Sequence, residues 1–442
     1  MTQDWFDLVS EDDFLDLETI FRFHADEEGI PNIPASVWEG ALAKFGRPAV
    51  QEALACYLSD NGIPFPYRQI PLREARQAFA ELRAADWNAF LRPFDAEYQA
   101  RYPYPMWSKE HGLAVCGSWS GFNVISDHYQ QTNRYACPGY ASRSALSLWS
   151  DRNALLKMNW SFWRFTKLGL NRSQFRASFA LTQYVAMQFK PSVAKALYGW
   201  LGQGVILDPS CGWGDRLAGF YCSDGSHTYL GCDPNEAVWH NYKKQAVEYD
   251  RWLGGSPVLT EGTIKGVPYF QVEGAKKILI FLSPAEDAPF EDVVPSSGVD
   301  LVFTSPPYFG VEKYAEGTAC SENQSWSRYP TFESWLNDFL LTLFPRLASL
   351  VNDTGFCAVN IVDPLWKGRR LEVCQPLHDT MTSNGMTYAG FMAMPIMKRL
   401  SPKGDDWSSD KKFAEPIWIF RKGAPVPRIH PVDVFDIFGN DD

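Results

Sequence analysis

Residues 299–310 read VDLVFTSPPYFG, an apolar run that ends abruptly at two consecutive prolines. The apolar run predicts a buried strand that stops at a rigid turn. Pro306 and Pro307 fix their own φ angles and push each preceding residue toward extended geometry. The carbonyl groups of Ser305 and Pro306 are therefore held outside any β-ladder, where they can accept hydrogen bonds, and the ring of Tyr308 follows as a stacking face. Such a turn suits the binding of a planar amide or amine.

A second unit of this kind lies upstream at 205–220, where the sequence reads VILDPSCGWGDRLAGF. An apolar run again breaks into a glycine-rich turn, and a helix-like stretch follows. Gly212 and Gly214 allow the backbone to approach a ligand closely, and the N-terminus of the new helix offers free N–H groups. Asp208 and Pro209 lie directly ahead of the turn. The pattern is typical of a cofactor-binding turn, although a GxG sequence after a strand is common.

Two further apolar runs end in acidic residues. Residues 229–232 are followed by Asp233, and an acid at the tip of the second strand commonly binds both ribose hydroxyls of a nucleoside cofactor. Residues 278–282 lead into the turn SPAED, which contains Glu286 and Asp287. Open α/β sheets bind their ligands beyond the carboxyl ends of the strands, so four strand-and-turn units in succession predict one shared site.

In order and in residues these units resemble the motifs of the S-adenosylmethionine-dependent amino-methyltransferases, which modify the exocyclic nitrogen of cytosine or adenine. The resemblance implies an α/β fold with a Rossmann-like, seven-stranded methyltransferase sheet in which the first and fourth strands are neighbours. It implies a turn that acts in catalysis, formed by Ser305, Pro306, Pro307 and Tyr308. It implies the cofactor S-adenosyl-L-methionine, bound by Phe189 (a loose motif match), Asp208, Pro209, Cys211, Gly212, Gly214, Asp233, Glu286 and Asp287.

The implied function is a DNA methyltransferase that transfers a methyl group to an exocyclic amine of a flipped base. Hydrogen bonds from the amine to the Ser305 hydroxyl and the Pro306 carbonyl would accept its developing charge, without a covalent intermediate. Serine at the first position of the turn favours N4 of cytosine, with N6 of adenine next. An RNA or protein-glutamine N-methyltransferase is the alternative within catalysis. A catalytically inactive nucleic-acid-binding protein is the alternative of another class.

Length and composition agree with an enzyme of two lobes. The chain has 442 residues, more than one core usually organises. Its net charge of −11 argues against non-specific coating of nucleic acid but not against a local basic cleft. Nine cysteines without zinc-like spacing predict reduced thiols, no metal and a cytoplasmic location. The acidic start and the lack of a long apolar run predict neither a signal peptide nor a membrane partner.

Contacts with DNA, double-stranded in preference, are predicted in three places. Residues 152–176 contain six basic residues and no acid, interleaved with aromatic rings, which suits phosphate contact and base stacking. A core helix with basic ends is the alternative interpretation. The stretch 398–412 is also basic, which fits either a mobile loop that contacts DNA phosphate or a solvated hairpin loop, and Phe309 follows the catalytic turn. The predicted contacts are Arg152, Arg164, Lys167, Trp160, Trp163, Lys398, Arg399 and Phe309.

Domain boundaries follow from where the motifs occur. Residues 1–172 lack a cofactor signature and are rich in aromatic residues with Pro and Gly breaks, which indicates a mixed, mostly helical substrate-recognition lobe. Residues 173–423 are assigned to the catalytic domain and 424–442 to a C-terminal tail. Trp213 departs from the family, because a small residue usually stands between the glycines of this motif. The ring could pack over the cofactor or could indicate a divergent substrate.

Overall fold

The computed structural model describes residues 17–117, 119–158, 160–163, 165–182, 184–396 and 412–423. These residues form two compact units, one made of 17–69 with 134–186, the other of 70–133 with the described residues from 187 onward. No helix in the described ranges is long and apolar enough to cross a membrane. Within the same ranges, no cluster of three or more His, Cys, Asp or Glu side chains is arranged to hold a metal ion.

The helices, in chain order, are α1 Leu17–Phe23, α2 Ala35–Asp60, α3 Leu72–Ala84, α4 Val124–Ala136, α5 Ala145–Trp149, α6 Arg152–Lys157, α7 Arg172–Thr182, α8 Pro191–Leu201, α9 Asp215–Cys222, α10 Glu236–Trp252, α11 Ser325–Arg328, α12 Phe332–Ser334, α13 Leu341–Leu350 and α14 Cys374–Ser383. The strands are β1 Leu91–Arg92, β2 Tyr98–Ala100, β3 Gly112–Cys116, β4 Val205–Asp208, β5 Thr228–Cys232, β6 Val258–Ile264, β7 Val267–Glu273, β8 Lys277–Phe281, β9 Val299–Thr304, β10 Val351–Asn360, β11 Leu365–Trp366, β12 Arg369–Arg370, β13 Met386–Pro395 and β14 Lys412–Lys422.

The second unit is built on a 12-stranded sheet with the order β1-β3-β13-β14-β10-β9-β4-β5-β8-β7-β6, and β2 pairs with β14. Strands β8, β5, β4, β9 and β10 are parallel to one another. Strand β14 runs antiparallel to β10 and to β13. The seven strands from β8 to β13 form the predicted seven-stranded sheet, so the predicted fold class is confirmed. The sheet is larger than predicted because hairpin β6–β7 extends one edge and β1–β3 extend the other.

Strands β4 and β9 are neighbours, with Ile206 opposite Leu301. Every residue of β4 is buried, and so are five of the six residues of β9, which is the near-continuous apolar pattern of parallel strands covered on both faces. From β4 the chain proceeds outward through β5 and β8, whereas from β9 it proceeds the other way through β10. The strand order reverses between β4 and β9, and the turns that follow β4, β5, β8 and β9 leave the sheet at the same edge.

The short strands β1, β2 and β3 lie within residues that the sequence analysis placed in the N-terminal lobe. Strand β3 pairs in parallel with β13, with Ala114 opposite Met392, which attaches 70–133 to the sheet unit. The first unit instead includes 173–186, which the sequence analysis gave to the catalytic domain. Elements of only two to five residues carry little sequence signal, which explains the difference.

Helix boundaries agree in part with those predicted. The sequence pattern predicts a helix over 174–188 and a second one that ends at Trp200. The first, α7, ends at Thr182, and the second, α8, ends at Leu201. Residues 331–350 are apolar at helical period and predict a further helix, which forms, but Trp335–Leu340 within it is π-helical. In the first unit, a glycine with φ of 76° at Gly46 kinks α2. That unit closes around an aromatic core to which α1, α2 and the segment 145–179 all contribute.

Candidate active site

The glycine-rich turn after β4 has the backbone that its sequence predicts. Gly212 and Gly214 have φ of 66° and 78°, values that side chains other than glycine rarely adopt. A Cβ at Gly214 would also collide with the side chain of Gln245 on α10. Helix α9 begins at Asp215, directly after the turn, so its first N–H groups face the region beyond the strand ends.

Asp208, at the end of β4, stabilises this turn from inside. Its carboxylate is fully buried and accepts hydrogen bonds from Arg216 Nε at 2.7 Å and from the Tyr229 hydroxyl at 2.6 Å. Arg216 also donates to the carbonyl of Ser210 within the turn. Asp208 was predicted to bind the cofactor, but its oxygens are engaged by protein groups, so its contribution to the site is to hold the turn in place.

Asp233, at the end of β5, lies against the same turn. Oδ2 accepts hydrogen bonds from the Gly212 N–H at 3.1 Å and the Tyr242 hydroxyl at 3.2 Å, and Oδ1 accepts one from the Asn235 N–H at 2.9 Å. Burial raises the pKa of Asp233 to about 6, although these hydrogen bonds act to lower it. The carboxylate is half-buried and lines a cavity, where hydroxyl groups of a ligand can reach it.

The two acids after β8, Glu286 and Asp287, differ in their surroundings. Glu286 lines the cavity and accepts a hydrogen bond from the Tyr329 hydroxyl at 2.9 Å. Asp287 is exposed and pairs with Arg328 at 2.6 Å. Arg328 also approaches Glu286, at 3.4 Å, so the segment around 324–329 is tied to this turn. Of the two predicted acids, Glu286 is the one that faces the site.

The Ser-Pro-Pro-Tyr turn after β9 is held by Asn360, the last residue of β10. The Tyr308 hydroxyl donates to the Asn360 carbonyl at 3.2 Å, and the Ser305 hydroxyl donates to Asn360 Oδ1 at 3.5 Å. The Asn360 amide is itself fixed, because Nδ2 donates to the Pro416 carbonyl at 3.0 Å. With its proton directed to Asn360, the Ser305 oxygen can accept a hydrogen bond from a ligand N–H.

One cavity, partly open to solvent, connects these turns. Its lining combines Gly212 and Asp233 with Glu286, Ser305 and Pro307. The complete lining is Pro209, Ser210, Gly212, Trp213, Asp233, Pro234, Asn235, Val238, Pro284, Ala285, Glu286, Ser305, Pro307, Tyr314, Asn323, Gln324, Ser325 and Phe339. The ends of β4, β5, β8 and β9 therefore contribute to a single site, as the strand order predicts.

The cavity wall also includes side chains that the motifs do not contain. Trp213 is 7% exposed, donates from Nε1 to the Met187 carbonyl at 3.1 Å, and lies 5.7 Å from the ring of Tyr314. Trp213 is one of the residues that line the cavity. Tyr314 and Gln324 come from the irregular segment after the Ser-Pro-Pro-Tyr turn, where no sequence pattern indicates a site.

Gln324 is 4% exposed, yet its Nε2 has no hydrogen-bond partner among the described residues. A buried amide donor without a partner costs free energy, about 1–3 kcal/mol, unless something else accepts its hydrogen bond. Because this side chain lines the cavity, an acceptor on a bound ligand can satisfy it.

Phe189, Cys211, Pro306 and Tyr308 support the site without lining the cavity. Phe189 lies 5.5 Å from the ring of Phe303 and 5.7 Å from the Arg216 guanidinium. Cys211 is 1% exposed, and burial raises the pKa of its thiol well above the usual value, so it remains a neutral packing group. Pro306 is buried, whereas the Tyr308 ring is half-buried.

Three predicted base-stacking rings lie in cores instead. Trp160 is 2% exposed and stacks on Phe162 at 5.1 Å. Trp163 is half-buried and stacks on Trp38 at 5.6 Å. Phe309 is 6% exposed and packs against Trp335 and Trp366, at 6.0 and 5.6 Å, so its prediction as a nucleic-acid contact is wrong. The alternative interpretation of 152–176, a core helix with basic ends, places Trp160 and Trp163 correctly against a core. It is wrong about the single helix, because the segment divides into α6, two 3-10 turns and the start of α7.

The predicted basic contacts are only partly described. Arg152 is exposed and lies 3.9 Å from Asp60, and Lys167 is exposed. Arg164, Lys398 and Arg399 lie outside the described residues. The cations of 152–176 that are described therefore surround an aromatic core, and the rings needed for base stacking face away from solvent.

No protein-family model and no curated protein matches the chain. Among solved structures, a methyltransferase from Pyrococcus furiosus is 13% identical over 57% of this chain and 95% of its own, with a TM-score of 0.29. An rRNA methylase from Streptococcus thermophilus is 10% identical over 54% of this chain and 100% of its own, with a TM-score of 0.30. Trm1 from Pyrococcus horikoshii, in complex with S-adenosyl-L-methionine, is 12% identical over 54% and 57%, with a TM-score of 0.32. The fold assignment rests on the strand order itself, which is that of a Rossmann-like methyltransferase sheet.

Proposed function

We propose that the protein is an S-adenosyl-L-methionine-dependent methyltransferase that acts on the exocyclic amine of a DNA base, N4 of cytosine in preference to N6 of adenine. The observation that carries this proposal is the shared cavity, in which Gly212, Asp233 and Glu286 face the same space as Ser305 and Pro307. A nucleoside cofactor site and an acceptor for a planar amine therefore adjoin, and proximity of the two reactants supplies much of the rate in a direct transfer.

The described residues fit the proposed cofactor. Asp233, half-buried at the end of β5, can accept both ribose hydroxyls, and Glu286 can accept a hydrogen bond from the adenine amine. These two carboxylates also suit a ligand that carries a positive charge. When bound, the cofactor supplies an electrophilic methyl group.

The turn after β9 binds and orients the amine. An exocyclic amine is a poor nucleophile because its lone pair is conjugated with the ring. Hydrogen bonds from the amine to Ser305 Oγ and the Pro306 carbonyl orient the lone pair and stabilise the charge that develops on nitrogen. Ser305 can do this because Asn360 accepts its own proton. In duplex DNA the base must leave the helix, at a cost of a few kcal/mol, and the Tyr308 ring is then available for stacking.

Two other functions use the same geometry. An RNA base or a protein glutamine also presents a planar amine or amide to Ser305 and Pro306. A non-catalytic nucleic-acid-binding protein would keep the fold but would have no need for an intact Asp233, Glu286 and Ser305. All three are present and line the cavity, which favours an enzyme.

The test is incubation of the purified protein with methyl-labelled S-adenosyl-L-methionine and unmethylated DNA, followed by digestion to nucleosides and identification of the product by mass. N4-methylcytosine or N6-methyladenine establishes the reaction and the base together. Parallel incubations with RNA and with a protein extract test the other acceptors. Label in RNA or protein alone contradicts the DNA assignment, and a protein that binds no cofactor contradicts the whole proposal.

A further inference from the structure

Hairpin β11–β12 presents three cations to solvent. Lys367, Arg369 and Arg370 are all exposed, and the chain turns between the strands at Lys367 and Gly368, with φ of 48° and 76°. None of the three cations forms an ion pair with a carboxylate in the part of the chain that the structure describes. In a protein of net charge −11, unpaired cations gathered on one short hairpin mark a local positive surface.

One end of the hairpin is fixed to the acceptor turn. The Trp366 ring lies 5.6 Å from the ring of Phe309, which directly follows Tyr308. Gly310 leaves no room for a Cβ, because one would collide with Trp366. Trp366 therefore fixes the hairpin to the two residues that directly follow the Ser-Pro-Pro-Tyr turn.

Arg370, at the other end of the hairpin, contacts the ring of Tyr102, which belongs to the lining of an open groove. The Arg370 guanidinium lies 3.1 Å from the centroid of the Tyr102 ring, and Arg101 lies 5.4 Å from the same centroid. Tyr102 lines the groove together with Arg101 and Lys109, the half-buried rings of Phe94 and Trp107, and no acidic side chain among the described lining residues. Cations and flat rings thus extend from the hairpin along the groove.

We infer that the hairpin and this groove form the surface that binds the phosphate backbone of the nucleic acid whose base enters the active site. This inference rests on the proposed function, because it assumes that the acceptor is a base. Lysine and arginine contacts to phosphates supply most of the affinity of such complexes and fix the register of the strand. The surface that steers the substrate is then on the sheet unit, beside the acceptor turn, and not in residues 152–176.

The experiment compares two triple variants of equal charge. Lys367→Gln, Arg369→Gln and Arg370→Gln remove the hairpin cations. The control, Arg73→Gln, Arg76→Gln and Lys244→Gln, removes three exposed cations from α3 and α10. Binding to labelled duplex DNA, single-stranded DNA and RNA of one sequence is measured over a range of salt concentrations. Binding of S-adenosylhomocysteine is measured in parallel and reports whether each variant is folded.

For duplex DNA, the slope of log K against log salt becomes shallower by about 0.9 for each lost phosphate contact. We expect the hairpin variant to lose about two to three units of slope and at least tenfold in affinity at about 150 mM salt. The control variant keeps the slope of the unmodified protein, and both variants bind S-adenosylhomocysteine within twofold of it.

Equal losses in the two variants overturn the inference, since the effect then follows net charge alone. An unmodified protein that binds S-adenosylhomocysteine but none of the three nucleic acids also overturns it, while the cofactor part of the proposed function stands. Failure to bind S-adenosylhomocysteine contradicts the proposed function instead. The nucleic acid that the unmodified protein binds most tightly identifies the partner.

Discussion

Two regions were predicted to be functional from the sequence. One comprises the turns at the ends of β4, β5, β8 and β9, and the other is the basic segment 152–176. They differ in the structure. The turns meet at one cavity, whereas Trp160 in the basic segment is 2% exposed within an aromatic core. A strand end followed by a turn specifies a place in a sheet, because parallel strands leave the sheet at a common edge. A mixture of cations and rings specifies only residue types, and either the core or the surface can use them.

Replacement of Trp160 by Ala tests this contrast with the largest expected effect. If the ring is a core residue, the free energy of unfolding of the first unit falls by about 3–5 kcal/mol. A ring that stacks on bases would instead lower nucleic-acid affinity and leave stability unchanged. Denaturant unfolding measures the difference, with Phe165→Ala as the control because Phe165 is 44% exposed. Equal destabilisation by the two variants would contradict the assignment of Trp160 to the core.

Replacement of Ser305 by Ala tests whether this residue contributes to methyl transfer and not to cofactor binding. Loss of one hydrogen-bond acceptor for the reacting amine should lower kcat about 10²- to 10³-fold, as for other groups that stabilise developing charge. The affinity for S-adenosylhomocysteine should stay within twofold, because Ser305 faces the amine.

Asp233→Ala should lower cofactor affinity and leave kcat at saturating cofactor nearly unchanged. Removal of a carboxylate that accepts two ribose hydroxyls costs about 1.5–3 kcal/mol for each hydrogen bond, so cofactor affinity falls at least about 100-fold. Cofactor binding is measured by calorimetry and kcat at saturating cofactor. If Ser305→Ala and Asp233→Ala weaken cofactor binding equally, the assignment of Asp233 to the cofactor site and of Ser305 to the amine site is wrong.

The pH dependence of cofactor binding gives a smaller effect. Burial raises the pKa of Asp233 to about 6, and ribose hydroxyls donate to its ionised form. Below pH 6 the free protein must lose a proton to bind, so affinity should fall about tenfold per pH unit and level off above pH 7. Calorimetry of S-adenosylhomocysteine between pH 5 and 8 measures this slope, and Asp233→Asn should abolish it. The same slope in the variant would assign the titration to another group.

Much of the fold and about half of the site could be predicted from the sequence. Strands β4, β5, β8 and β9 were predicted because buried parallel strands read as continuous apolar runs, and the seven-stranded sheet was implied by the family resemblance. Gly212, Asp233, Glu286 and Ser305 were predicted because each occupies a defined place after a strand. Strands β1–β3 were missed because each has only two to five residues. The hairpin that carries the cations of 367–370 was missed because only the fold brings Trp366 beside Phe309.

Gln324 could not be predicted either, and it provides the smallest expected effect. Its Nε2 is buried in the cavity wall without a partner among the described residues, and segment 324–329 is tied to Glu286 through Arg328 and Tyr329. Glu286 is proposed to accept from the adenine amine, so we expect Gln324 to donate to a ring nitrogen of the same adenine. One such hydrogen bond contributes about 1 kcal/mol, so Gln324→Ala should weaken S-adenosylhomocysteine binding about fivefold.

Analogues of S-adenosylhomocysteine that lack N1, N3 or N7 of adenine identify the acceptor atom. The unmodified protein should bind one deaza analogue several-fold more weakly than the parent compound, and Gln324→Ala should bind those two ligands equally well. Ser325→Ala, which alters the neighbouring wall residue, should keep the preference of the unmodified protein. If Gln324→Ala retains the full preference, the amide does not contact the adenine ring. The turn after β8 would then recognise the base without help from this segment, and strand-end turns alone would account for cofactor binding.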